Sequence, residues 1–123
     1  MKQLPKRFKK FRKEFPNVAN AYEQLGTAVH KSGPINEKTR ALIKLAISTG
    51  TGMEGAVHSH TREAIDAGCS KAEIKQTVML ALPTIGFPAT MAVLSWVEDI
   101  IEKQYKIILT IISSVQMLRK HLL

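Results

Sequence analysis

The side chains best suited to proton or thiol chemistry in this chain are His58, His60 and Cys69. They lie in or beside residues 53–68, MEGAVHSHTREAIDAG, which read as one helix of about four turns that ends at Gly68. An imidazole gives or takes a proton near neutral pH, so a histidine on a sheltered helix face can act as a general acid or base. The helix face on which each histidine lies therefore decides whether that histidine is suited to acid–base chemistry.

A turn of about 100° per residue divides this helix into two faces. His60 is predicted on a small, apolar, buried face, where it is either an acid–base residue or a hydrogen-bonded core residue. His58 is predicted in a solvated row of side chains four residues apart. The apolar face holds Met53, Ala56, His60, Ala64 and Ala67, and the charged face holds Glu54, His58, Arg62 and Asp66.

No metal site is expected. His58 and His60, two residues apart on a helix, point about 160° away from each other and cannot share one ion within a subunit. The chain also has no HExxH pair, no glycine-rich phosphate loop after a strand and no nucleophile elbow.

Cys69 is the one cysteine of the chain, so no internal disulfide can form. It is predicted to be a small buried hydrophobe, the alternative being a nucleophile. No apolar run of eighteen residues and no secretory signal are present, and the sequence predicts a soluble, cytoplasmic protein. At 123 residues and 45% hydrophobic, the chain is long and apolar enough for one folded domain.

The net charge of +8 is concentrated at the N-terminus, because residues 1–15 hold seven Lys or Arg and one Glu. We predict a basic amphipathic arm over 1–15 and a helical domain over 16–123. Leu4, Phe8, Phe11 and Phe15 form the apolar stripe of the arm. The stripe either docks on the protein body or serves an anionic membrane or nucleic-acid surface, and a mitochondrial presequence is a further alternative. No nucleic-acid partner is expected, since no binding motif accompanies the three phenylalanines.

The remaining pattern is helical throughout, and no alternating segment typical of a strand occurs, so the fold class is all-α. A capping box, Ser70 with Glu73, begins one helix, and Pro83 should kink or end it. The helix over 37–49 is predicted to be central and buried, with Arg40, Lys44 and Ser48 as its polar stripe. Helices are expected at about 17–31, 37–49, 53–68, from 71 to near 83, and 89–120.

These blocks also have the order and spacing of a known family. The segments KTR at 38–40, LIKLA at 42–46, AGCS at 67–70 and GFPA at 86–89, with the His60 helix between them, resemble the carboxymuconolactone decarboxylase family. That family includes the AhpD-type alkylhydroperoxidases. The resemblance covers about residues 34–102 and implies an AhpD-like helical domain.

The functional residues of the family match only at His60. AhpD-type members carry Cys-x-x-Cys-x-x-x-His, and Met53 and Ala56 stand at the two cysteine positions here. The family glutamate aligns with Ala41. Thiol peroxidase activity is therefore not expected, because nothing can form the catalytic disulfide. Two functions stay open: a cofactor-free lyase or decarboxylase on a small acidic or lactone-like molecule, or an inactive member that serves as an oligomeric binding or scaffold protein.

The resemblance also implies a pocket beside subunit contacts and no bound cofactor. Members of the family are often trimers or hexamers, so a homo-oligomer that binds a small-molecule ligand is expected. The predicted pocket around His60 is lined by Leu45, Met53, Ala56, Phe87 and Trp96.

The segment 107–118, IILTIISSVQML, carries no charge. It is too short to span a bilayer and too apolar to stand alone in water. One side of such a helix can pack on its own domain and the other side requires a second chain. We therefore predict that residues 105–120 are buried between subunits.

Overall fold

The computed structural model describes residues 5–122, and Leu4, one residue of the predicted apolar stripe, lies outside them. Seven helices and no strand occur within this range, which confirms the all-α class. No helix among them has a stretch that is long and apolar enough to cross a membrane. The helices are α1 Lys6–Glu14, α2 Pro16–His30, α3 Glu37–Thr51, α4 Glu54–Asp66, α5 Lys71–Met79, α6 Leu82–Ile85 and α7 Phe87–Leu122.

The chain divides into two units, Met1–Asn36 and Glu37–Leu123. This division does not coincide with the predicted boundary after Phe15, since α1 shares its unit with α2. Within that unit Pro16 begins α2, where its missing N–H leaves no hydrogen bond unmade. Phe11 packs against Phe15 with ring centres 5.8 Å apart, and Arg12 forms an ion pair with Glu23.

The second unit contains the main hydrophobic core, formed by one face each of α3, α4, α5 and the first half of α7. The fully buried side chains on these faces are branched and apolar, and their dispersion contacts and loss of water contact stabilise the unit. The largest of them are Leu45, Val57, Ile74, Val78, Val93 and Val97.

The third helix is less buried than the prediction of a central, buried helix with one polar stripe. Only one face of α3 is buried in the core, while Ile43 and Ile47 are exposed. Ser48, predicted on a polar stripe, is buried because its hydroxyl donates to the Lys44 carbonyl oxygen at 2.7 Å. A helical serine can thus satisfy its own polar group and enter a core.

All five buried hydroxyl side chains of the described residues use this arrangement. Each donates to the backbone carbonyl four residues earlier, at 2.7 to 2.9 Å, and that carbonyl lies in the same helix except for Thr90, whose acceptor Gly86 immediately precedes α7. No buried hydroxyl therefore leaves its hydrogen bond unmade. The five are Ser48, Thr49, Thr61, Thr77 and Thr90.

Helix α5 begins at the predicted capping box. The Glu73 N–H donates to Ser70 Oγ at 3.1 Å, and the Ser70 N–H donates to Glu73 Oε1 at 2.8 Å. Lys38 Nζ lies 3.1 Å from the same carboxylate oxygen. The Ser70 N–H bond, followed by the Lys38 contact, holds the pKa of Glu73 below its usual 4.5.

The depressed pKa of Glu73 predicts a pH-dependent contribution to stability. The contribution is fully present above pH 4.5, where the unfolded-state carboxyl is ionised, and is lost as pH falls through the lower folded-state pKa. The difference in melting temperature between wild type and Glu73→Gln should therefore shrink on acidification from pH 6 toward pH 2.5. The exposed Glu102→Gln is the control, and a gap for Glu73→Gln that stays constant over this range would contradict the prediction.

Helix α7 runs without interruption over 36 residues, about 54 Å. Gly86 precedes it with φ of +89°, a left-handed conformation that residues with a Cβ rarely adopt. Its buried residues lie between Thr90 and Ile101. Beyond Gln104 every residue up to Leu122 is exposed, so the second half of α7 extends past the core.

Candidate functional site

Helix α4 presents His60. Its end is fixed by Gly68, whose φ of +88° lets the Gly68 and Cys69 N–H groups donate to the carbonyls of Ile65 and Ala64, both at 3.0 Å. This is the Schellman arrangement expected when a glycine follows a helix. The predicted helix and its glycine stop are confirmed, and Cys69 is turned into the core.

The buried face of α4 differs from the prediction. Val57, Thr61 and Ala64 point into the core, so the centre of the buried face is rotated away from His60. Thr61 was assigned to neither face, and it is buried with its hydroxyl donating to the Val57 carbonyl at 2.7 Å. His60 lies at the edge of this face, where 24% of its side chain is exposed.

His60 is paired with a carboxylate. Its Nδ1 lies 3.1 Å from Glu63 Oε2, one helical turn further along α4. Lys44 Nζ, from α3, lies 3.8 Å from the same oxygen. The three side chains, an imidazole, a carboxylate and an ammonium, meet at the surface between α3 and α4, and we term them the His60 cluster.

The His60–Glu63 contact gives the imidazole a defined role. The carboxylate accepts a hydrogen bond only from a protonated Nδ1, so it selects the tautomer that leaves Nε2 as the site of proton exchange. Within residues 5–122, no hydrogen bond to Nε2 is formed. The carboxylate also stabilises the imidazolium that forms when Nε2 takes a proton.

Glu63 and Lys44 were not predicted as site residues. Glu63 follows His60 by three positions, a spacing at which helical side chains meet, so the pair could have been read from the sequence. Lys44 was placed on a polar stripe of α3, but only the packing of α3 on α4 brings it to Glu63.

His58 does not lie in a solvated row. It is half-buried, and its Nε2 is enclosed with no hydrogen-bond partner among the described residues. The prediction failed because the faces of α4 are rotated from those expected. No group of three or more His, Cys, Asp or Glu side chains within residues 5–122 is arranged to hold a metal ion.

The predicted pocket residues have different surroundings in the single chain. Leu45 is fully buried, and Trp96 packs against the same core. Ala56 is half-buried. Met53 and Phe87 are 61% and 64% exposed and are not part of that core. The pocket around His60 stays a prediction, and in one chain two of its five members face outward.

Open depressions occur elsewhere on the surface. One is lined by α2 residues from Asn20 to Ala28, and another by α7 residues from Ser113 to Lys120. Each is lined by a single helix, and neither contains a residue of the His60 cluster. Neither depression therefore replaces the predicted pocket.

Cys69 is part of the hydrophobic core, as predicted, with 8% exposure. Its thiol donates to the Lys38 carbonyl oxygen at 3.6 Å. Burial, and then the nearby Glu73 carboxylate, raise the pKa of the thiol, while Lys38 opposes them. A protonated, enclosed thiol is a poor nucleophile.

This environment predicts that the protein has no dithiol peroxidase activity. No second thiol exists to resolve an oxidised Cys69. In a peroxide-reduction assay with a dithiol reductant, wild type and Cys69→Ser should both remain at the uncatalysed rate. Turnover by wild type that disappears in Cys69→Ser would contradict this and identify Cys69 as a nucleophile.

Three comparisons relate this arrangement to known proteins. The model of the carboxymuconolactone decarboxylase family matches residues 16–99. The crystal structure of an apo carboxymuconolactone decarboxylase family protein from Legionella pneumophila superposes with a TM-score of 0.68 at 26% identity, covering 78% of this chain and 86% of that one. An uncharacterized protein of Haemophilus influenzae is 35% identical over 61 residues, 50% of this chain and 54% of that protein. The chain thus spans about half the length of this curated relative.

Proposed function

We propose that this chain, which belongs to the carboxymuconolactone decarboxylase family, is a cofactor-free lyase or decarboxylase. Its substrate would be a small acidic or lactone-like molecule, and His60 would be its general acid and base. The observation that supports this is the His60 cluster: a partly exposed imidazole whose Nδ1 is held by Glu63, beside the cationic Lys44. A cytoplasmic site of action stays a prediction.

The proposed reaction needs one proton donor. When the carbon–carboxylate bond of the substrate breaks, carbon dioxide leaves and the electron pair remains on carbon. The His60 imidazolium then donates its Nε2 proton to that carbon and is reprotonated from water. Glu63 orients the ring through the Nδ1 hydrogen bond, so that Nε2 is the nitrogen that transfers the proton.

Lys44 supplies the charge that an anionic substrate requires. Its ammonium lies 3.8 Å from Glu63 Oε2, beside the His60 ring, and the side chain is about one-third exposed. An ammonium on a flexible stem binds a carboxylate as a point charge. We assign Lys44 to substrate binding and Glu63 to the orientation of His60.

A second function, as a non-catalytic binding or scaffold protein, rests on Ala41. This residue stands where the family glutamate is expected from the resemblance, and it is buried in the core, so α3 offers no carboxylate there. Glu63 on α4 is the carboxylate that contacts His60 instead. The two functions differ in whether His60 turns over a ligand or only binds it.

We propose that the working form is a homo-oligomer, a trimer or hexamer as the family resemblance implies. Met53 and Phe87, two predicted pocket residues, are exposed in the single chain. A second subunit placed over them would close the site around His60 and exclude water, which strengthens the electrostatic interactions inside.

A binding experiment tests the site for either function. Carboxymuconolactone and simple dicarboxylates should shift the NMR signals of the His60 ring, and Lys44→Gln should weaken their affinity about tenfold, as expected for the loss of one charged contact. Lys75→Gln is the matched control, because Lys75 forms a comparable ion pair with Glu98, at 3.3 Å. Failure of every probe to shift His60 at millimolar concentration would contradict the proposed site.

A further inference from the structure

The second half of α7 leaves an unusual amount of apolar surface uncovered. We term residues 105–122 the α7 extension. No residue of the extension belongs to the hydrophobic core. Its large apolar side chains are between 46% and 84% exposed in the single chain. They are Tyr105, Ile107, Ile108, Leu109, Ile111, Ile112, Val115, Met117, Leu118 and Leu122.

This surface has the pattern of a coiled-coil seam. Five apolar residues follow each other at alternating spacings of three and four residues, which keeps them on one side of a helix. On the opposite side Lys106, Ser113 and Lys120 recur every seven residues. Leu109 and Met117 lie beside this row, but its two lysines are exposed, so a partner helix along the seam fits this helix better than complete enclosure. The seam consists of Ile108, Ile111, Val115, Leu118 and Leu122.

The seam continues the core-facing side of the same helix. Ile101 is buried in the core, and Gln104, three residues later, is half-buried. Ile108 follows four residues after Gln104 and is exposed. The spacing of three and four residues therefore continues without a break from the core into the seam. Beyond Gln104, the other helices of the same chain no longer bury this side of α7.

We infer that the α7 extension pairs in antiparallel orientation with the α7 extension of a second copy of this chain. This inference concerns assembly and does not depend on the proposed chemistry of His60. The seam is complementary to itself, because Ile108 then lies opposite Leu118 of the other copy, and Ile111 lies opposite its Val115.

Charge selects the antiparallel orientation. Parallel pairing would bring the two basic ends of the extensions, Arg119 to His121, to the same end of the contact, where like charges repel. Antiparallel pairing separates these basic ends. It directs each toward the beginning of the other extension, where Asp99 and Glu102 offset the charges of Lys103 and Lys106.

The available surface is of the size that a stable contact needs. Five seam residues together with Ile107 and Ile112 beside them each have on the order of 100 Å² left to bury. Their sum, about 700 Å² per copy, approaches the roughly 800 Å² per partner of a standard interface. The contact is two-fold, so it joins copies in pairs and is compatible with a dimer or a hexamer but not with an isolated trimer.

Disulfide cross-linking in the full chain tests the orientation. Single variants Ile108→Cys and Leu118→Cys should not cross-link to themselves, because about ten residues, or roughly 15 Å of helix, separate the paired positions. Coexpressed with a size tag on one of them, they should form the mixed 108–118 disulfide at least about tenfold more than either self-linked product, since opposed cysteines are within disulfide reach.

Two control proteins are expected to give no cross-linked product. Ser113→Cys, on the polar side of the extension, and wild type with its buried Cys69 should remain unlinked. Self-linked products from either single variant would establish parallel pairing and overturn the inference. So would a full chain that sediments as a monomer at micromolar concentration, or one that binds lipid vesicles in place of a second copy.

Discussion

Replacing His60 by glutamine is expected to lower turnover by about 10²- to 10⁴-fold, the usual cost of losing general acid–base help. Glutamine keeps much of the size of histidine and can still hydrogen-bond to Glu63, but it cannot donate or accept a proton in the catalytic step. The helix should be unaffected, since His60 lies at the edge of the α4 core face with 24% of its side chain exposed, and its side-chain hydrogen bond is with Glu63 on the same helix. Carbon dioxide release from carboxymuconolactone is the measurement, with circular dichroism to verify the fold.

His58→Gln is the matched control, on the same helix and outside the His60 cluster, and it should retain turnover. Glu63→Gln should fall between the two, losing about 10- to 100-fold, as orienting partners of functional histidines usually do. Activity within about twofold of wild type in His60→Gln would exclude His60 as the acid–base residue. Retained ligand binding with no turnover in wild type would favour the binding-protein alternative.

Truncation after Lys106 is expected to convert the assembled protein to a smaller species while leaving the second unit folded. Residues 107–122 contribute no side chain to the hydrophobic core, so their removal costs the unit little. They carry most of the uncovered apolar surface beyond Gln104, which is the surface that burial between copies would stabilise. Sedimentation or light scattering on both forms at micromolar concentration measures the change.

A substitution in the full-length chain distinguishes the effect of breaking the seam contact from the effect of removing residues 107–122. Val115→Asp places a charge in the middle of the seam and should dissociate the assembly as the truncation does. Ser113→Asp, on the polar side of the extension, should not. A truncated protein that keeps the oligomer and solubility of the full chain would show that residues 107–122 do not hold the copies together.

The fold could be predicted from the sequence where the local signals were strong. The capping box at Ser70, the glycine at 68 and the unbroken pattern of α7 each rest on chemistry within a few residues, and each is confirmed. Pro88, which follows Pro83 along the chain, lies in the first turn of α7, where a proline is tolerated.

The orientation of helices was harder to predict, because no hydroxyl residue was expected on a core face: Ser48 was placed on a polar stripe, and Thr61 was assigned to neither face of its helix. Thr61 and Ser48 bond to their own helices and are buried, so the core faces of α4 and α3 differ from those drawn from apolar residues alone. The rotation of α4 moves His60 to an edge and His58 inward. Of the candidate site, the position of His60 could be predicted, but the approach of Lys44 depends on packing between helices that a single sequence does not encode locally.

The self-contained hydroxyl bonds of the core have a consequence for motion. Each buried serine and threonine hydroxyl donates to a carbonyl four residues earlier in the chain. None of these hydrogen bonds therefore fixes the position of one core helix against another. Ion pairs at the periphery, such as Lys38 with Glu73 and Lys75 with Glu98, have long flexible side chains that tolerate small displacements. The helices of the second unit are thus suited to small sliding movements past one another by shear, which leave these hydroxyl bonds intact.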